Sequence, residues 1–248
     1  MKLILSRKGF DSGAGGCPSP IFPDASMLSL PIPDKMSCQR YEDLAWKGRK
    51  LSDILAPLQG ARPQPQHSAH LDPDLVGETL PRHPNWRPVL GQTGAAQGHL
   101  RNQGVGPGDL FLFFGLYRRV NERGSFIPGE PKQHVLWGWL QIDEVIQVDH
   151  PEQDLTWAGM HPHLGRAPDP SNKLYRAKKA LSLPGAGPKD LPGAGVFGRI
   201  NPRLQLTDPE GRGLTNWRLP SWFSPAGKPS ALSFHEVVYT NFCKFPLS

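Results

Sequence analysis

The chain has 248 residues, 38% of them hydrophobic and 20% charged, with a formal net charge of +6. This is enough apolar material for a packed core, which excludes a wholly disordered chain, and the length suits one domain with insertions. The 28 prolines and 27 glycines follow no period, which excludes a collagen-like fold, and three cysteines (Cys17, Cys38, Cys243) without a CxxC pair argue against a disulfide framework or a thiolate zinc site.

The first ten residues, MKLILSRKGF, hold too short an apolar run for a secretory leader. No apolar stretch approaches a membrane span, so a cytoplasmic protein is expected. Residues 2–6 read as the first strand, and a Gly-rich turn over 9–16 follows. The prolines of CPSPIFPDASMLSLPIPD permit only short extended pieces, with an edge strand over 27–32. Apolar spacing in the 41–58 stretch predicts a short helix at 50–56. Residues 59–70 are a polar, Pro-rich loop, and 94–104 read as a short helix closed by Gly104.

The strongest signals lie in the middle of the chain. Residues 110–117 and 134–148 are rich in β-formers and are joined by a short polar loop, so an antiparallel pair is expected. Residues 173–182 read as extended, and a second Pro/Gly loop spans 183–195. Short strands are expected near 195–199 and 203–206, and the aromatic tail should pack back on the core. The fold class is α+β: a loop-rich single domain over 1–248 with a mainly antiparallel β core and a few short helices.

Several stretches carry chemistry. SRKGFDSGAGG places Arg7, Lys8 and Asp11 at a strand end among glycines that free backbone N–H groups for an anion. It is neither a P-loop nor a GxGxxG fingerprint. GQTGAAQGHLRNQG supplies Gln92, Gln97 and His99, and amide side chains read base edges. Phe111, Phe113 and Phe114 cannot share one face, so their strand is buried on both sides or offers a ring to a pocket; with Trp137 they are core residues or a stacking wall for a base. His235 sits in a β-like context.

HLDPDL, with His70, Asp72 and Asp74, has the composition of a metal or acid–base cluster, but reads first as a solvated turn. MHPH offers His161 and His163 with no third ligand in view, and reads as a loop. No metal is therefore assigned, and the cofactor is left unknown.

The opening block, the segment GQTGAAQGHLRNQGVGPGDLFLFFGLYR with WGWLQIDEV, and LSFHEVV together resemble the nucleotide modification associated domain family, type three. The resemblance covers most of the chain and implies a role in bacterial or phage systems that alter nucleic-acid bases. GDLFLFFG with VLWGWLQIDEV is also similar to half of a PUA-like barrel, a fold whose pocket takes a modified or flipped base.

The resulting expectation is a protein that acts on a base or nucleotide, foremost in DNA. Arg7 and Lys8 would hold phosphate. Asp11, His99 and His235 are the candidate catalytic groups. Gln92 and Gln97 would read the base beside His99, and Phe114 or Trp137 would stack on it. A non-catalytic reader of modified bases and an enzyme of the free nucleotide pool are the alternatives.

Overall fold

The computed structural model describes residues 1–185 and 190–219, and the backbone of 235–239. Its strands are β1 (Lys2–Arg7), β2 (Ser19–Ile21), β3 (Ile32–Pro33), β4 (Ala45–Trp46), β5 (Arg49–Lys50), β6 (Ala69–His70), β7 (Val89–Gln92), β8 (Leu110–Arg119), β9 (Gln133–Gln147), β10 (Lys173–Ala177), β11 (Ala194–Val196) and β12 (His235–Tyr239). Two α-helices, α1 (Leu51–Leu55) and α2 (Gly94–Asn102), complete the set.

One eight-stranded sheet organises the molecule in the order β12-β1-β8-β9-β10-β7, with β11 beside β9 and β2 beside β8. Strand β8 pairs antiparallel with β9, as the short connection requires, and parallel with β1 and β2. The sheet does not close among the described residues: β12 and β7 are its two ends. The expected PUA-like barrel half is thus an open mixed sheet, because its end strands β12 and β7 do not pair with each other among the described residues.

Burial on both faces explains the unbroken apolar run of β8. Phe111 and Phe113 stand on one face with ring centroids 6.0 Å apart. They belong to the main core with Ile4, Trp137, Leu140 and Tyr175. Phe114 lies in a second cluster with Leu5 and Leu206. A third apolar cluster gathers α1 (Leu51, Ile54, Leu55) against Phe10, Leu30 and Tyr41. Fully burying each such side chain is worth roughly 1.5–3 kcal/mol, so these clusters decide the fold.

Helix α2 ends as its sequence indicates. Gly104 takes φ +59°, a left-handed conformation that side chains disfavour, and its N–H returns to the Arg101 carbonyl. Other expectations shorten. The edge strand over 27–32 reduces to a bridge from Met27 to Ile21 and the two-residue β3, because Pro31 and Pro33 cannot donate to a ladder. The segment 203–206 is a 3₁₀ turn, Pro202–Leu204, rather than a strand. Of the aromatic tail, Trp217 packs against Phe114 at 5.0 Å. Residues 186–189 of the second Pro/Gly loop, and residues 220–234 and 240–248, which hold most of the remaining tail, lie outside the described residues.

Candidate metal and acid–base centre

Side-chain alternation at the end of β1 separates the two cations that the sequence had grouped. Arg7 pairs with Asp11 at 2.8 Å. Lys8 reaches Asp72 instead, with Nζ 2.8 Å from Oδ2. Successive residues leave an extended chain on opposite sides, so Arg7 and Lys8 do not form one phosphate clamp.

Around Asp72 four distant segments meet. Antiparallel pairing of β3 with β6 sets Asp34 beside His70. Residues 71–74 then run to β7, where Asp74 bridges Val89 and the Gly91 N–H donates to Asp72 Oδ1. The loop after β9 supplies His161, His163, Arg166 and Asn172, and β10, which leaves that loop, pairs with β7. Gly91 permits the closest of these approaches: a Cβ there would fall 2.2 Å from the His163 ring.

Hydrogen bonds assign each imidazole a role. His163 Nδ1 lies 2.7 Å from Asn172 Oδ1, an acceptor, so Nδ1 carries the proton. Asn172 Nδ2 donates back to the His163 carbonyl at 2.9 Å, which fixes the amide's orientation. His70 Nδ1 lies 2.7 Å from the Asp34 carboxylate, to which Arg166 also donates, so here too Nδ1 carries the proton. Both rings therefore keep their lone pair on Nε2, and that of His70 lies 3.8 Å from Asp72 Oδ2. His161 is the reverse case. Its Nδ1 accepts from the His163 N–H at 3.3 Å, leaving Nε2–H 3.4 Å from Asp72 Oδ1.

His70, Asp72 and His163 each offer one ligand atom, and these atoms lie within 4.8 Å of one another. Asp72, His161, His163 and Asn172 are buried, whereas His70, Lys8 and Arg166 are partly exposed and form the open side of the centre.

Electrostatics keep the three groups in ligand form near neutral pH. Burial pushes His163 down to about 4, and the Asp72 carboxylate only partly offsets it. Burial likewise lowers His70 against the pull of Asp72 and Asp34. Burial alone would raise Asp72, but the Lys8 ammonium first, and then the neighbouring His161, hold it well below the usual carboxylate range. Asp74, the other carboxylate of HLDPDL, is instead clamped by both terminal nitrogens of Arg82 at 2.6 Å.

The other candidates take separate places. Asp11 Oδ1 accepts from the Gly13 and Ala14 N–H groups at 2.7 and 2.6 Å, closing the Gly-rich turn. Arg7, Asp11 and Phe114 lie together with His134 and Trp217, away from Asp72. Gln97 is buried and accepts the Tyr175 hydroxyl at 2.8 Å, so it completes the core. Gln92 is buried next to Gly91, and its Nε2 has no partner among the described residues. His99 is half-buried on α2 and makes no contact with the centre. The backbone of His235 pairs with Ser6, while its side chain lies outside the described residues.

Trp137 stacks on Phe113 and, with Leu71 and Pro73, lines an apolar cavity of about 70 Å³. That is well below the roughly 300 Å³ or more of small-molecule pockets.

His161 and His163 were the residues whose importance the sequence understated. Their signal was present in MHPH, but its partner HLDPDL lies about ninety positions earlier, and no spacing rule joins the two.

A family model described as nucleotide modification associated domain 3 matches residues 2–239. No curated protein and no solved structure matches the chain. Among the described residues no helix is long and apolar enough to cross a membrane. With the match spanning nearly the whole length, the chain belongs to the nucleotide modification associated domain 3 family.

Proposed function

We propose that this protein is an enzyme of a nucleotide-modification system, acting on a base or nucleotide of DNA at the centre built around Asp72. One observation carries the reading: Lys8, the His70–Asp72 stretch and His163 converge from three segments into a mostly buried polar group in which the two imidazoles are oriented by Asp34 and Asn172. Burying so many polar groups together costs free energy that an apolar filling would not, and such clusters concentrate where chemistry is done. A reader of modified bases needs stacking and hydrogen-bond donors but no such group.

The partly exposed Lys8 and Arg166 stand on the open side, where a nucleotide's phosphate would approach, and the +6 charge of the chain favours a polyanion. Arg7, partly exposed beside Asp11, would then serve DNA contact rather than the reaction.

The test is turnover. Duplex DNA and the four deoxynucleoside triphosphates are incubated separately with the protein, digested to nucleosides and weighed by mass spectrometry. A changed nucleoside mass in DNA, absent with His163→Gln of unchanged circular dichroism, supports the reading. Unchanged nucleosides accompanied by tight, salt-sensitive DNA binding would replace it with the reader.

A further inference from the structure

We propose that His70 Nε2, His163 Nε2 and the Asp72 carboxylate bind one divalent transition-metal ion, an inference that deepens the preceding reading by naming the cofactor of its centre. The argument is geometric. Two imidazoles and one carboxylate present three ligand atoms within 4.8 Å of one another. Both imidazoles keep Nε2 free as the ligand atom, because their Nδ1–H groups donate to Asn172 Oδ1 and Asp34 Oδ2.

Metal-binding histidines characteristically give the second ring N–H to a carbonyl or carboxylate, which fixes the ring and raises its basicity. Here both do so, and Asp34 is itself held by Arg166. The third histidine is excluded by the same logic: His161 spends its lone pair on the His163 N–H and leaves only its Nε2–H, 3.4 Å from Asp72 Oδ1, so it has no lone pair to offer an ion.

Asp72 divides its oxygens in the way a ligand must. Oδ1 accepts from the Gly91 N–H and faces His161 Nε2. Oδ2 faces His70 Nε2 at 3.8 Å and holds the Lys8 ammonium at 2.8 Å. The position a metal would take is thus already a cation position. Lys8 stands in for the ion, and metal binding would displace it toward the open side of the centre.

Two nitrogen ligands and one oxygen, with the remaining positions open, suit Zn²⁺, Fe²⁺, Co²⁺ or Mn²⁺ better than Mg²⁺ or Ca²⁺, which prefer all-oxygen sites. When bound, such an ion supplies Lewis acidity to a substrate oxygen or a bound water.

The experiment uses the full chain after dialysis against EDTA and then against metal-free buffer. Zn²⁺ and Co²⁺ are titrated by calorimetry, and Co²⁺ is followed by its visible absorption. One ion per chain is expected, with a d–d spectrum of mixed nitrogen and oxygen ligation. His70→Gln and His163→Gln should each abolish stoichiometric binding. Asn172→Ala should weaken it by about 10–100-fold while leaving one site, because it touches the ring and not the ion.

The Co²⁺ spectrum of the unaltered protein keeps the test independent of whether any variant folds. Absence of stoichiometric uptake of either ion, or uptake unchanged in both glutamine variants, overturns the site. The two readings fail separately. A chain that binds Co²⁺ one to one but changes no nucleoside retains the site and loses the enzyme reading. A chain that changes nucleosides in EDTA and takes up no metal retains the enzyme reading and loses the site.

Discussion

Lys8 and Asp72 are joined by an ion pair of 2.8 Å although 64 positions separate them in the chain. The pair ties the end of β1 to the segment that leads into β7. Its lysine is partly exposed, whereas the side chain of Asp72 is almost wholly enclosed. Removal of one partner of such a pair leaves an uncompensated buried charge.

Lys8→Met should therefore destabilise the metal-free protein by about 3 kcal/mol, a fall in Tm on the order of 10 °C. Saturating Zn²⁺ should restore more stability to this variant than to the unaltered chain, because the ion no longer competes with an ammonium. Differential scanning calorimetry with and without Zn²⁺ checks both parts. An equal Zn²⁺ effect in the two proteins would show that Lys8 and the ion do not share Asp72 Oδ2.

Gly91→Ala places a methyl group 2.2 Å from the His163 ring. The ring must move away from β7, which strains its bond to Asn172. A loss of about 1–3 kcal/mol is expected from the overpacking. Co²⁺ affinity should fall with it. Urea denaturation and the Co²⁺ titration measure the two effects, and an unchanged affinity would mean that the His163 position is not critical.

Asp11→Ala should behave as a turn mutation. Two backbone N–H groups lose their acceptor, and Arg7 loses its partner. The cost is about 1–2 kcal/mol at these partly exposed positions. Turnover per folded molecule should change less than twofold, measured at a temperature well below the transition. A drop of a hundredfold or more would return Asp11 to the role that its sequence context suggested.

Stability should fall in mild acid through His134. Burial first, and then the neighbouring Arg7 charge, lower its pKa to about 4, against an ordinary value of 6.5. Above pH 6.5 both folded and unfolded chains hold it neutral. Between 6.5 and 4 the unfolded chain takes a proton that the folded chain refuses, so stability declines as pH falls, and this contribution levels off below 4. Trp217 donates to His134 Nδ1 at 3.0 Å, which makes its fluorescence a local reporter. Urea midpoints from pH 7 to 4 should drop less steeply in His134→Leu than in the unaltered chain.

Elements of local origin were legible in the sequence. The apolar runs of β1, β8 and β9, helix α2 with its Gly104 stop, and the antiparallel β8–β9 pair follow from side-chain period, turn residues and connection length. Burial of β8 on both faces was one of the two readings left open by Phe111, Phe113 and Phe114 being unable to share one face. Family membership also followed, from strings spread along most of the chain.

The centre was not legible in this way, because its parts are incomplete alone. HLDPDL and MHPH each hold fewer ligands than a site needs. Antiparallel pairing of β10 with β7, and of β3 with β6, brings them together with Asp34 and Asn172. Adjacent Arg7 and Lys8 looked like one cationic pair, yet strand alternation sends them to different partners. By itself the sequence determined the strong strands and the inventory of histidines and carboxylates, since these depend on composition and short-range spacing, and it carried the strings by which the family is recognised. Tertiary structure alone decided which of those groups face Asp72 and which ring nitrogen each turns toward it, since that depends on strand register and on hydrogen bonds between residues far apart in the chain.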